Sequence, residues 1–119
     1  MSSFATQDVR WPASGEPLRV GATLPTMKVT PIDKNGNVDF SDSGNTIVFF
    51  AYNMADGTVK VNGASASFSA GQLVYAWAAA DTDTAGAYRG YFQITDGNGK
   101  VQHAPRGKYL LYNILGLGA

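Results

Sequence analysis

Apolar and polar side chains alternate with a period of two along much of this chain, which is the pattern of β-strands that bury one face. The segment YRGYFQITD is a clear example, because it places Tyr88, Phe92 and Ile94 on one face. The intervening side chains on the other face are Arg89, Tyr91, Gln93 and Thr95. The segment is therefore predicted to be a strand in a sheet that is packed on one side only.

A second segment, TIVFFAYN at residues 46–53, is apolar or aromatic in both alternating registers. One register carries Ile47, Phe49 and Ala51, and the side chains between them are Val, Phe and Tyr. Strands that are apolar on both faces lie in the middle of a sheet. We therefore predict a central strand that is covered on both sides.

The remaining strand predictions are short and are separated by turn residues. They lie at residues 27–33, where Pro31 interrupts the strand, and at 58–63, 65–68, 72–80, 100–105 and 108–115. The predicted turns are Asn35-Gly36, Asp56-Gly57 and the hairpin Asp96–Lys100, all rich in residues that tolerate positive φ. Seven to nine short strands with almost no helical periodicity predict an all-β fold, specifically an immunoglobulin-like antiparallel β-sandwich.

The chain length of 119 residues is that of one ordinary domain. Residues 1–20 contain two prolines and a glycine and are predicted to form an N-terminal arm or irregular lead-in. Residues 21–119 are predicted to form the β-sandwich domain. There are no cysteines, so packing alone must hold the core together, without disulfides or thiolate metal sites.

Charge and hydropathy argue against two classes of partner. Nine basic and nine acidic residues balance, so no broad field attracts nucleic acid or an anionic membrane. The longest apolar runs fall well short of the roughly 18 residues that a membrane helix needs. The first residues lack the pattern of a secretory signal, and we expect synthesis in the cytoplasm.

No catalytic or cofactor-binding set is recognisable. The sole histidine, His103, has no motif that supplies a partner and is predicted to be a surface or edge-strand residue. Glu16 is the only glutamate, no G-x-S-x-G elbow occurs, and the glycines of DGNGK precede no helix that could bind phosphate. We therefore expect a protein that is not an enzyme and has no cofactor, although an unrecognised aspartate pair stays open.

The acidic segment DTDT, residues 81–84, allows two interpretations. Asp81 and Asp83 could bind a cation, but a tight calcium site needs about 6 to 8 oxygen ligands, and two carboxylates supply too few. Alternatively, Asp and Thr side chains accept backbone hydrogen bonds, Gly86 turns the chain, and Tyr88 enters the core. Immunoglobulin-like domains use a comparable tyrosine at a strand corner. We favour the structural interpretation and predict no metal.

From about Val38 to Pro105 the chain resembles the small β-sandwich domains of tailed-phage virion proteins, especially the N-terminal domain of baseplate upper proteins and related neck or tail components. Those domains combine a D-ϕ-(S/T) opening, a G-x-V-x-Y-x-W strand, an acidic turn before a tyrosine, an F-x-ϕ strand and a D-G hairpin that ends in proline. The matching residues are Asp39, Phe40, Ser41, Gly71, Val74, Trp77, Asp81, Thr82, Gly86, Tyr88, Phe92, Ile94, Gly99 and Pro105.

The resemblance implies a non-enzymatic structural protein of the virion, made in the host cytoplasm. Such a protein would assemble with copies of itself and with other virion proteins, as a head-decoration, neck, tail or baseplate component. The chain departs from the family in its longer N-terminal segment and in having no further receptor-binding part after this domain. Position in the particle and copy number stay open.

Two segments are predicted to form the assembly interface. In the arm, Trp11 and its neighbour Arg10 either fold back onto their own domain or dock in a neighbouring subunit. Near the other end, Ile114, Leu115 and Leu117 belong to an apolar, uncharged stretch of a kind that solvated tails seldom have. We expect both segments at a subunit boundary.

A second functional hypothesis is a carbohydrate-binding module. Exposed Tyr91, Tyr109 or Trp11 would stack on sugar rings, a role that many β-sandwiches serve. A third hypothesis, a small hydrolase, finds no supporting constellation of residues.

Overall fold

The computed structural model describes residues 9–11, 17–33, 36–105 and 109–116. Its strands are β1 (Val9–Arg10), β2 (Leu18–Arg19), β3 (Met27–Val29), β4 (Ile32–Asp33), β5 (Gly36–Asn37), β6 (Thr46–Asn53), β7 (Val59–Ser69), β8 (Gln72–Tyr75), β9 (Gly86–Thr95), β10 (Val101–Ala104) and β11 (Leu110–Leu115). A short 3₁₀ helix covers Ala79–Thr82. The predicted all-β class is confirmed. None of the described segments is a helix long and apolar enough to cross a membrane.

The strands form one curled sheet of mixed direction. Its order is β1-β11-β9-β6-β7-β8-β3, while β10 also pairs with β9, and β2 also pairs with β11. All pairings are antiparallel except those of β1 and β2, which run parallel to β11. A separate small hairpin joins β4 and β5. This arrangement does not confirm the immunoglobulin-like sandwich.

The curl follows from the shape of β7, which takes part in both halves of the sheet. Its first part pairs with β6, and its last three residues pair with β8. The register of β6 against β7 shifts between Phe49 and Phe50, where Gly63 has a φ of +71°. A β-bulge bends its strand and increases the local twist, so β7 leaves the first half and enters the second.

The hydrophobic core lies inside the curl. Phe49 of the central strand β6 is fully buried, and its ring centroid lies 4.8 Å from that of Tyr75, 5.0 Å from Phe92 and 6.1 Å from Trp77. The predicted buried face of β9 is confirmed, since Tyr88, Phe92 and Ile94 are all buried. β6 is central as predicted, but the prediction that it is covered on both sides was wrong, because Val48, Phe50 and Tyr52 on its second face are only half-buried. The remaining buried apolar residues are Leu18, Met27, Phe40, Ile47, Ala51, Val61, Leu73, Tyr75, Trp77, Ala104, Leu110, Tyr112 and Ile114.

Three predicted strands were wrong in their bounds. Residues 58–63 and 65–68 were predicted as separate strands, but they join in β7, because the bulge at Gly63 bends the strand without ending it. The strand predicted at residues 72–80 ends at Tyr75, and the chain enters the 3₁₀ helix instead. There the carboxylate of Asp81 accepts a 2.8 Å hydrogen bond from the Ala78 backbone N–H and thereby stabilises the turn.

The structure confirms two of the predicted turns. Asp56 Oδ1 accepts hydrogen bonds from the backbone and the hydroxyl of Thr58, and Gly57 has a φ of +74°. In the hairpin between β9 and β10, Asp96 Oδ1 accepts two backbone N–H groups at 2.9 Å. In the third predicted turn, Asn35 lies outside the described residues, and Gly36 is paired with Asp33 in the β4–β5 hairpin.

The described part of the predicted arm is joined to the sheet. Val9 and Arg10 pair with the start of β11, and the Trp11 N–H donates to the Leu111 carbonyl at 2.8 Å. Farther along, β2 pairs with the end of β11, and the Val20 N–H donates to the Leu115 carbonyl at 2.8 Å. Residues 9–11 and 17–20 therefore extend the sheet beyond β11.

Candidate functional site

The first carboxylate of the acidic segment serves the fold. Asp81 is buried, and its Oδ2 accepts a 2.5 Å hydrogen bond from the hydroxyl of Tyr75 in addition to the bond from Ala78. Burial, reinforced by the hydrogen bond to Asp81, raises the pKa of Tyr75 well above its usual range. The adjacent Thr82 is buried too and donates to the Ala22 carbonyl at 2.9 Å.

The second carboxylate points elsewhere. Asp83 is exposed and forms an ion pair with Lys60 of β7. Hydrogen bonds from Lys60 and Thr84 lower the pKa of Asp83. Asp81 and Asp83 therefore have different partners, and within the described ranges no group of three or more metal-binding side chains occurs.

Tyr88 occupies the corner position that the sequence predicted. Its hydroxyl donates a 2.6 Å hydrogen bond to the carbonyl of Thr84, four residues earlier in the chain. Its ring stacks on that of Tyr112 with a centroid distance of 5.4 Å and an interplanar angle of 15°. The segment 81–88 therefore acts as a turn that anchors the start of β9 in the core.

Three of the five predicted interface residues lie in or beside their own core. Trp11 is half-buried, with its ring centroid 5.8 Å from that of Trp77, so it folds back onto its own domain. Ile114 is only 2% exposed and is paired with Leu18, while Leu115 is half-buried. Arg10 is placed by its backbone in β1. A role of these residues in a subunit interface stays a prediction, and Leu117 lies outside the described residues.

An aromatic cluster covers the other side of the sheet, opposite the core. It consists of Phe50 and Tyr52 from β6, Tyr91 from β9, His103 from β10, and Tyr109 just before β11. Alternation places Tyr91 outward between the buried residues Gly90 and Phe92. We call this surface the aromatic face.

Tyr91 is the centre of the aromatic face. Its ring centroid lies 5.3 Å from Phe50 and 6.2 Å from Tyr52, with nearly parallel planes, and 5.2 Å from His103 and 6.3 Å from Tyr109. The hydroxyls of Tyr91 and Tyr52 are 3.4 Å apart. This hydrogen bond is the main reason that the pKa of Tyr91 is raised to about 12.

Arg89 brings a positive charge to the aromatic face. Its guanidinium carbon lies 5.0 Å from the ring centroid of Tyr109, which is cation–π geometry. Its Nε is buried and has no hydrogen-bond partner. The salt bridge found among the described residues joins Lys60 to Asp83, so no carboxylate is seen to pair with Arg89.

Two further polar groups border the same surface. Gln93 and His103 are opposite each other on β9 and β10, and Gln93 Oε1 lies 3.3 Å from His103 Nε2. His103 is exposed, which confirms its prediction as a surface residue. The amide and the imidazole can each donate and accept hydrogen bonds.

A second surface lies at the opposite end of the sheet. Leu24, Pro25, Thr26 and Lys28 line an open recess beside β3, the last strand in the sheet order. Leu24 is 73% exposed, and Ile32, in the next strand along the chain, is 69% exposed. We call Leu24, Pro25, Thr26 and Lys28 the edge recess.

Sequence reasoning found the aromatic face only in part. Tyr91 and Tyr109 were singled out, but Phe50, Tyr52 and Arg89 were not. Alternation within a strand indicates which residues share a face, but only the pairing of β6 with β9 shows that Phe50 lies opposite Tyr91. The available signal was the outward register of YRGYFQITD, which contains Arg89 and Tyr91.

No protein-family model matches the chain, and no curated protein matches it.

Proposed function

We propose that the chain is a non-enzymatic structural protein of a tailed-phage virion and that it acts by protein–protein assembly. The resemblance of the motifs between Val38 and Pro105 to those of tailed-phage virion domains supports this class of particle. The observation that carries assembly is the edge recess, where Leu24 exposes 73% of its surface beside an edge strand. Large exposed apolar side chains next to an unpaired edge are typical of contact surfaces.

The edge recess suits strand addition. β3 pairs with β8 on one side, and in the described part of the chain no strand pairs with its other side. An extended segment from another subunit would hydrogen-bond to the β3 backbone and bury Leu24. The Lys28 side chain is exposed on the same strand, and such edge lysines discourage indiscriminate pairing while allowing an acidic partner.

Sedimentation velocity of the purified chain tests self-assembly through this edge. We expect the fraction of the protein that is oligomeric to increase as the protein concentration rises through the micromolar range. Leu24→Glu places a charge in the apolar contact and should weaken association about tenfold or more. Met54→Glu is the matched control, because Met54 is also an exposed apolar residue, at 49%, but lies in the turn after β6.

Location in the particle needs a separate measurement. Antibodies against the chain should detect it in tailed particles purified on a density gradient from the strain that encodes it. Absence of the chain from such particles would overturn the virion assignment. A strict monomer at all concentrations that also fails to bind the particles would overturn assembly.

A carbohydrate-binding module is the second candidate function. The aromatic face favours it, because Tyr91 and Tyr109 lie together and are bordered by Gln93 and His103. Trp11, the third residue considered for this role, packs on Trp77 within the core side and is not part of that surface. Glycan-array binding that is lost with Tyr91→Ala and retained with Met54→Ala would support it.

A further inference from the structure

We propose that the aromatic face binds an acidic sugar, a uronic acid, with the carboxylate paired to the guanidinium of Arg89. This inference rests on the second candidate function and specifies its ligand class.

Arg89 has the chemistry of an incomplete ion pair. Its Nε–H is buried without an acceptor, and a buried donor that lacks a partner destabilises the protein. The Tyr109 ring helps to fix the orientation of the guanidinium through the cation–π contact. Arg89 as a whole is only half-buried, so the terminal N–H groups of its guanidinium remain available to a ligand, and the two oxygens of a carboxylate match their spacing.

The surrounding strands supply no competing carboxylate. β6, β9, β10 and β11 contain neither Asp nor Glu, and Arg89 is the charged residue of these four strands. In the described structure, the face of these four strands that points away from the core therefore carries a positive charge. Charge complementarity favours a ligand that brings its own negative group.

The neighbouring polar groups suit a sugar better than a peptide. The hydroxyls of Tyr52 and Tyr91, the amide of Gln93 and the imidazole of His103 can each donate and accept, as sugar hydroxyls also do. A peptide would seek unpaired backbone groups, but the β9 backbone is already paired with β6 on one side and with β10 and β11 on the other. The aromatic rings supply the apolar part of the contact.

Titration calorimetry with matched sugars tests the proposal. The probes are short oligomers of galacturonate, glucuronate and mannuronate, each beside its methyl ester, which has the same ring but no charge. We expect at least one acid to bind about tenfold or more tightly than its ester, because a hydrogen bond to a charged group is stronger than one between neutral groups. Added salt should weaken the binding.

Variants of the chain test whether Arg89 causes the preference for the acid over its ester. Arg89→Gln should abolish the preference for the acid, and Arg89→Lys, which keeps the charge but not the fork, should restore part of it. Lys28→Gln is the control, because it removes a cation from the edge recess and should leave sugar binding unchanged. Circular dichroism of each variant checks that the strands are intact.

Three outcomes would overturn the inference. One is that no acid binds, and another is that acid and ester bind equally and Arg89→Gln changes nothing. The third is that hexaglutamate binds in an Arg89-dependent way while the sugars do not, which would indicate a protein partner. If the methyl esters bind as tightly as the acids, the proposed carbohydrate function is still supported although the acid preference is not. The sedimentation and particle measurements test the virion assignment independently.

Discussion

The hydroxyl of Tyr75, at the end of β8, donates a 2.5 Å hydrogen bond to the carboxylate of Asp81, six residues farther along. Both side chains are buried, and the same carboxylate oxygen also accepts the Ala78 backbone N–H. One acidic side chain thus ends a strand, stabilises the 3₁₀ helix and satisfies a core tyrosine. Asp81, which the sequence offered as a candidate cation ligand, therefore has a structural role, and its replacement should change the stability of the fold.

Replacing Asp81 by alanine should destabilise the fold by about 2 to 4 kcal/mol, because the change leaves the Tyr75 hydroxyl and the Ala78 N–H without an acceptor. Urea unfolding measures the free energy of unfolding. Asp83→Ala is the control, since it removes an exposed ion pair with Lys60 and should change the free energy of unfolding far less than Asp81→Ala does. Equal losses for the two variants would contradict the assigned roles.

Two tyrosines that stack on each other should respond differently to loss of their hydroxyls. Tyr88→Phe removes the hydrogen bond to the Thr84 carbonyl and should lower the free energy of unfolding by about 1 to 2 kcal/mol. Tyr112→Phe removes a buried hydroxyl that has no hydrogen-bond partner and should be neutral or stabilising. Thermal unfolding of both variants checks the order, and the reverse order would refute the corner role of Tyr88.

A methyl group at Gly90 should not fit between β9 and β6. A Cβ there would lie 2.6 Å from the Phe50 carbonyl oxygen and 2.9 Å from the Phe49 ring. Gly90→Ala should therefore cost about 1 to 3 kcal/mol, the usual penalty for overpacking a core, or more because one of the clashing atoms is backbone. Gly97→Ala is the control, since its Cβ would meet nothing closer than 4.0 Å. Denaturant unfolding that shows the same stability for both variants would contradict the close approach.

The hydrogen bond between Tyr52 and Tyr91 should be visible in an alkaline titration. It helps to raise the pKa of Tyr91 from 10.0 to about 12. The raised pKa means that the folded state favours the neutral form of Tyr91. This preference stabilises the folded state fully below pH 10, and the stabilisation is lost as the pH rises toward 12. Tyr52→Phe should lower the pKa of Tyr91.

Ultraviolet absorbance of the phenolate follows this titration. Tyr52→Phe removes one tyrosine, so its curve is compared with that of Tyr112→Phe, which removes a core tyrosine and leaves the Tyr52–Tyr91 bond in place. We expect an earlier onset of ionisation in Tyr52→Phe. Identical onsets would show that the bond does not set the pKa.

Local patterns predicted much of the strand content, because alternation is a property of consecutive residues. The buried register of β9, the central position of β6 and the turns at Asp56-Gly57 and Asp96–Lys100 all follow from neighbours in the sequence. Tyr88 as the first core residue after the acidic turn was predictable for the same reason.

Contacts between distant segments were not predictable in this way. Nothing near Trp11 indicates that its ring will lie against Trp77, and nothing in the first twenty residues indicates pairing parallel to β11. The end of β8 was misplaced because the run of alanines after Trp77 gives no signal of its own. The hydrogen bonds of Asp81 decide that boundary, and they depend on the three-dimensional turn.

The parallel pairing of β1 and β2 with β11 also imposes an order on folding. Val9 finds its partner, Leu110, only after about a hundred further residues have been added to the growing chain. During synthesis, β1 and β2 therefore stay unpaired while β6, β7 and β9 pair with one another. The step that joins β1 and β2 to the sheet is therefore their pairing with β11, and a ribosome-bound nascent chain truncated before Leu110 should leave Val9 and Leu18 open to proteases.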